Sequence, residues 1–135
     1  MRALRLGLAV LVAFAATACG GDSVAEPVRS YTLRVEISDD TPGAYRYLAL
    51  DPVDIQVGDE VTFEMTNTGT LGHDMNVFGQ DGDIAKLPTV APGQTGQLTI
   101  LFEEAGPYQL RCYTDDHLTA HEMFAAFDVT EPDGG

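Results

Sequence analysis

The run Glu60-Val61-Thr62-Phe63-Glu64-Met65-Thr66 alternates polar and apolar side chains without a break, and so does Tyr31-Thr32-Leu33-Arg34-Val35-Glu36-Ile37-Ser38. A period of two gathers Val61, Phe63 and Met65 on one face, and Tyr31, Leu33, Val35 and Ile37 on another, as half-buried strands of antiparallel sheets require. Working outward, residues 45–50, 53–57, 73–78, 97–102, 108–113 and 124–130 carry further strand patterns. Turn chemistry separates them: Thr41-Pro42-Gly43, Gly58-Asp59, Asn67-Thr68-Gly69, Asp81-Gly82-Asp83, Ala91-Pro92-Gly93 and Ala105-Gly106-Pro107. Short strands at this spacing predict an all-β fold, a Greek-key β-sandwich of seven to eight strands. There is no internal repeat, long amphipathic helix or low-complexity core.

The strands occupy residues 30–130 of a 135-residue chain, which is one domain's worth. Ahead of them, Arg2 and Arg5 precede an unbroken apolar run from Leu6 to Ala16, and small residues lead to Cys19. This is a charged segment, a short apolar segment and a processing site, so residues 1–18 read as a signal peptide too short to span a bilayer. The stretch Ala16-Thr17-Ala18-Cys19 resembles the bacterial lipobox, in which the cysteine is lipidated and becomes the new N-terminus. An ordinarily cleaved signal peptide is the alternative. Residues 19–29 then form a lipidated tether, rich in Gly, Ser, Asp, Glu and Pro, and residues 131–135 a disordered tail. The expected location is the periplasm or the cell exterior, on a membrane anchor.

Charge narrows the partners. There are 21 acidic and 7 basic side chains, a net charge of −14, and removal of residues 1–18 takes away Arg2 and Arg5 alone, leaving −16. Nucleic acid is excluded as a partner, as is an anionic lipid surface acting through charge. The surplus has two accounts that both stand: solubility or a saline habitat, and steering toward a basic redox protein.

No phosphate loop, nucleophile elbow or HExxH helix is present. All three histidines, the one cysteine of the strand-bearing domain and a methionine instead gather in two places, Gly72-His73-Asp74 and the segment from Cys112 to Met123. Thiolate and thioether beside imidazole suit copper. Strand parity puts Cys112 with Tyr108 and Leu110, Met123 with Ala125, Phe127 and Val129, and His73 with Met75 and Val77. Those ligand candidates therefore end strands on their inward faces, and His117 comes from the loop between two of them. Met65 and Met75 read as core. Taken singly, each candidate has a plainer account: Cys112 and Met123 as buried hydrophobes, the histidines as surface residues. Their joint order is what points to metal.

Here the chain resembles the cupredoxins, the small blue type 1 copper proteins. The likeness is carried by Ile55-Gln56-Val57-Gly58-Asp59-Glu60-Val61-Thr62-Phe63, Asn67 and Gly72-His73, and then by Ala105-Gly106-Pro107-Tyr108-Gln109-Leu110-Arg111-Cys112, His117 and Met123. The resemblance implies one type 1 copper site with His73 and His117 as imidazole ligands, Cys112 as thiolate, Met123 as the weak axial thioether and the Gly72 carbonyl near the metal. It also implies a monomeric electron carrier, not an enzyme, with a redox protein such as a cytochrome or an oxidase domain as partner. Asp115-Asp116 replaces the family's usual Pro-Gly, Asp74 stands at a position of asparagine, and the interval from His117 to Met123 is longer than usual. His121 is an alternative fourth ligand, four residues from His117 and on the same face of any short helical turn between Asp115 and Glu122. An imidazole there would favour oxidised copper and a storage, delivery or sensing role on the same fold. A metal-free adhesive or scaffolding sandwich is the third reading.

Overall fold

The computed structural model describes residues 29–41 and 44–133. Nine strands and one short helix are found among them: β1 (Ser30–Thr41), β2 (Ala44–Ala49), β3 (Ile55–Gln56), β4 (Glu60–Asn67), β5 (His73–Gly79), β6 (Gly82–Val90), β7 (Thr95–Leu101), β8 (Gly106–Arg111), α1 (His117–His121) and β9 (Phe124–Thr130). They build a β-sandwich, one sheet in the order β2-β1-β4-β7 and the other in the order β3-β9-β8-β5-β6. The leader, Cys19 and most of the tether lie outside the described residues. No helix of the described residues is long and apolar enough to cross a membrane.

The two alternating runs become β1 and β4, neighbours in one sheet. Leu33, Val35 and Ile37 are 0–2% exposed, as are Val61, Phe63 and Met65, so every apolar position of the alternation in β4 faces the core. Full burial of such side chains contributes about 1.5–3 kcal/mol each. The two strands run parallel, with Leu33 opposite Phe63 and Val35 opposite Met65. This departs from the expectation of antiparallel pairing. The intervening chain crosses to the other sheet through β3 before β4 begins, so β4 re-enters from the end at which β1 started. β3 and β9 are likewise parallel, and the other pairings are antiparallel.

Two further departures lie at sheet edges. Segment 53–57 shrinks to the two residues of β3, and β6 is a strand that the alternation did not announce. β6 borders the second sheet beside β5, contains Pro88, and buries only Leu87 and Val90. Proline is admitted to a sheet at such an edge, where its missing N–H faces no partner.

The sandwich has two distinct ends. At one, Phe102 packs edge to face on Tyr108 (5.2 Å between centroids) and on Phe127 (6.0 Å). Tyr108 begins the chain of inward residues that ends at Cys112, four residues along and so about 13 Å away at 3.3 Å per residue. The ligand candidates collect at that opposite end.

Candidate metal centre

Each candidate side chain is delivered by the end of a regular element. His73 opens β5, Cys112 follows β8 by one residue, His117 opens α1, and Met123 directly precedes β9. Antiparallel pairing of β8 with β5 on one side and with β9 on the other brings these ends together. The loop from Cys112 to Met123 closes on itself: the Cys112 N–H donates to the Met123 carbonyl (3.2 Å), and the Met123 N–H to the His117 carbonyl (3.0 Å). Two non-glycine residues with positive φ, Asp115 (47°) and Glu122 (49°), bracket the helix.

His73, Cys112 and His117 form a buried triangle whose ligand atoms lie within 4.8 Å of one another. Both imidazoles turn the same nitrogen to the sulfur: His117 Nδ1 is 3.5 Å from Cys112 Sγ, and His73 Nδ1 is 3.8 Å from it. Cys112 and His73 are fully buried and His117 is 4% exposed. Burial pushes the Cys112 thiol up, against the pull of the Thr114 and Asp74 backbone N–H groups. Burial, with His73 nearby, pushes the His117 imidazole down. The triangle thus offers two imidazole nitrogens and one sulfur facing one point.

The surroundings hold this triangle rigid. Asn67, fully buried, donates from Nδ2 to the carbonyls of Leu71 (2.7 Å) and Val90 (2.9 Å) and accepts from the Gly69 N–H (2.9 Å), which ties down the loop that carries His73. Asp74 Oδ1 accepts the Tyr113 N–H (2.7 Å), linking the residue after His73 to the residue after Cys112. The Asp74 carbonyl accepts the buried Tyr47 hydroxyl (2.6 Å), whose phenol burial pushes up. Asp39 Oδ2 lies 2.8 Å from His73 Nε2.

The remaining candidates fall into place around it. Met123 is fully buried, tied by backbone to Cys112 and His117. Gly72 is half-buried beside Thr89, whose methyl would stand 2.9 Å from any Cβ added there. His121 does share α1 with His117, but its ring stacks on Tyr45 at 4.1 Å and stands 6.2 Å from the His117 ring, with Nε2 3.8 Å from Asp116. Met65 and Met75 are core. Two residues whose sequence pattern gives no sign of a site role border the triangle: Asp39, and Tyr45, whose ring lies 4.9 Å from His117 and 5.8 Å from His73.

Two imidazoles and one thiol, with a thioether buried next in the loop, make the soft donor set that suits copper. No carboxylate belongs to the triangle. The set fits one copper ion without rearrangement of its residue types.

No protein-family model matches the chain, and no curated protein does. Solved structures do. An auracyanin from the photosynthetic bacterium Roseiflexus castenholzii superposes with a TM-score of 0.56 at 20% identity, over 72% of this chain and 96% of that one. Auracyanin A, a "blue" copper protein of Chloroflexus aurantiacus, gives 0.55 at 17% identity, over 74% of this chain and 100% of that one. A blue copper oxidase from Nitrosomonas europaea gives 0.54 at 21% identity, over 79% of this chain and 40% of that one.

Proposed function

The chain has the cupredoxin fold, and from that premise we propose that it is a blue-copper electron carrier, holding one copper ion between His73, Cys112 and His117 with Met123 as the weak fourth ligand. The observation that carries this reading is the buried triangle in which both Nδ1 atoms face Cys112 Sγ. Copper bound there supplies a one-electron couple. The residues supply the rest: the imidazoles and the sulfur are fixed from several elements, the burial keeps water out, and the thioether leaves the oxidised state only weakly stabilised. A scaffold that changes little between oxidation states is what fast single-electron exchange needs.

The engagement of His121 with Tyr45 and Asp116 supports Met123 over His121 as fourth ligand, and so supports a carrier over a storage, delivery or sensing protein. The match to nearly the full length of two small copper proteins, against 40% of the oxidase, supports a carrier over an enzyme. The lipobox-like stretch ending at Cys19 and the acidic surplus support an anchored, extracytoplasmic protein with a basic redox partner.

One preparation tests the whole reading. Wild-type protein and the Cys112→Ser variant are expressed with the leader, partitioned between detergent and aqueous phases, and loaded with Cu(II). An intense red-region thiolate-to-copper band in wild type, lost in Cys112→Ser, is the expected result, with both proteins in the detergent phase. A band that survives Cys112→Ser overturns the thiolate assignment, and recovery from the aqueous phase overturns the anchor.

A further inference from the structure

The loop between β4 and β5 is wrapped around a single carboxylate. Asp39 has a side chain 1% exposed. Its Oδ1 accepts the Thr70 N–H (2.6 Å) and the Thr70 hydroxyl (3.1 Å). Its Oδ2 accepts the Leu71 N–H (2.8 Å) and meets His73 Nε2 at 2.8 Å. A Cβ at Gly69 would lie 2.7 Å from Asp39 Cγ, so the loop can lie against the carboxyl only with glycine at that position. Four contacts on one buried acid, two of them from consecutive backbone N–H groups, keep it ionised and fix where its last lone pair points.

That direction has a chemical consequence. An ionised carboxylate only accepts, so the His73 nitrogen facing it carries a ring proton, and in the neutral imidazole, the form that binds a metal, the other nitrogen, Nδ1, keeps its lone pair. Nδ1 is the atom turned toward Cys112 Sγ. A carboxylate behind a metal-binding imidazole also raises its basicity as a ligand. It places a buried negative charge near the metal as well, which favours the more highly charged state of a redox ion.

We propose that Asp39 is a positioning residue of the metal centre, which locks His73 in the tautomer that leaves Nδ1 free and lowers the reduction potential of the bound copper. This inference rests on the copper reading given above. It assigns to a residue on β1, in the other sheet from the ligands, a share in setting the site's potential.

Two measurements test it. In metal-free wild-type protein, nitrogen-15 shifts of the His73 ring are expected to show the proton on Nε2; a proton on Nδ1 overturns the proposal, whatever any variant does. In the Asp39→Asn variant, shown by circular dichroism to be folded, Cu(II) affinity is expected to fall about 10- to 100-fold. The reduction potential is expected to rise, by about 59 mV for each tenfold loss of Cu(II) affinity relative to Cu(I). A merely structural role for Asp39 leaves the potential in place. Wild type with the red-region band and a folded Asp39→Asn variant with unchanged affinity and potential overturns this inference alone. Wild type that takes up no copper overturns the copper reading and this inference together.

Discussion

Met123 and His121 are two residues apart and compete for one role. Met123 is fully buried where the loop enters β9, and leucine matches it in volume, so Met123→Leu is expected to cost less than about 1.5 kcal/mol. That variant should keep its blue band and gain in reduction potential, because a donor to the oxidised ion is lost. His121→Ala removes a stacked ring from Tyr45, worth about 1 kcal/mol, and should leave the spectrum alone. Voltammetry and visible spectra of the two variants decide: a spectrum destroyed by His121→Ala and untouched by Met123→Leu reverses the assignment. At this scale the sequence makes burial legible where parity is clear: His73, Cys112 and Met123 stand at strand ends on the inward face and are fully buried. Asp39 is harder to see, although it continues the parity of Leu33, Val35 and Ile37. The alternation of polar and apolar residues stops at Ser38, whereas β1 runs on to Thr41 with Ser38 and Asp39 both buried. A carboxylate in step with an apolar face was the available signal.

Elements are fastened to one another at the end far from the ligands by a second buried acid. Asp59, with no exposed side-chain surface, pairs with Arg29 just ahead of β1 and accepts the Gln56 N–H of β3 (2.8 Å), while its own carbonyl accepts the Phe102 N–H (2.9 Å) beyond β7. The bond from Arg29 holds the Asp59 carboxyl below the usual carboxylate range, against the opposing effect of burial. A carboxyl depressed on folding contributes stability that is present above its unfolded value, about 4, and is lost as pH falls through its folded one. Asp59→Asn is therefore expected to cost about 1–3 kcal/mol at neutral pH, since Arg29 is partly solvated. The gap from wild type should narrow as pH drops below about 4. Urea unfolding at a series of pH values checks this, and a gap independent of pH rules out Asp59 as its source. Element order was less legible than element existence. Periodicity tells which face a strand buries and nothing about its neighbour, so the parallel pairing of β1 with β4 could not be read. β6 escaped because an edge strand with a proline buries too few side chains to alternate.

Over the whole molecule, charge is the property with the longest reach. Of the seven basic residues, Arg29, Arg34 and Lys86 each sit against a carboxylate, at 3.3, 2.7 and 3.8 Å from Asp54, Asp51 and Asp74, so much of the positive charge is already matched locally. Asp115, Asp116 and Glu122 are exposed in the very loop that carries His117, which brings the negative potential up to the ligand end. If that potential steers a partner, oxidation of the reduced copper protein by a small cationic cobalt(III) complex should be fast at low salt and slow as salt is added, while oxidation by hexacyanoferrate(III) should accelerate. The screening length shrinks from about 30 Å at 0.01 M to about 10 Å at 0.1 M, so the change belongs in that interval. Its expected size is about tenfold or more for the cation. Asp115→Asn with Asp116→Asn should flatten both curves without moving the blue band, because neither side chain belongs to the ligand triangle. Stopped-flow rates at the two ionic strengths make the test. Equal salt dependence for cation and anion would mean that the surplus of acids keeps the protein soluble and guides nothing to its metal.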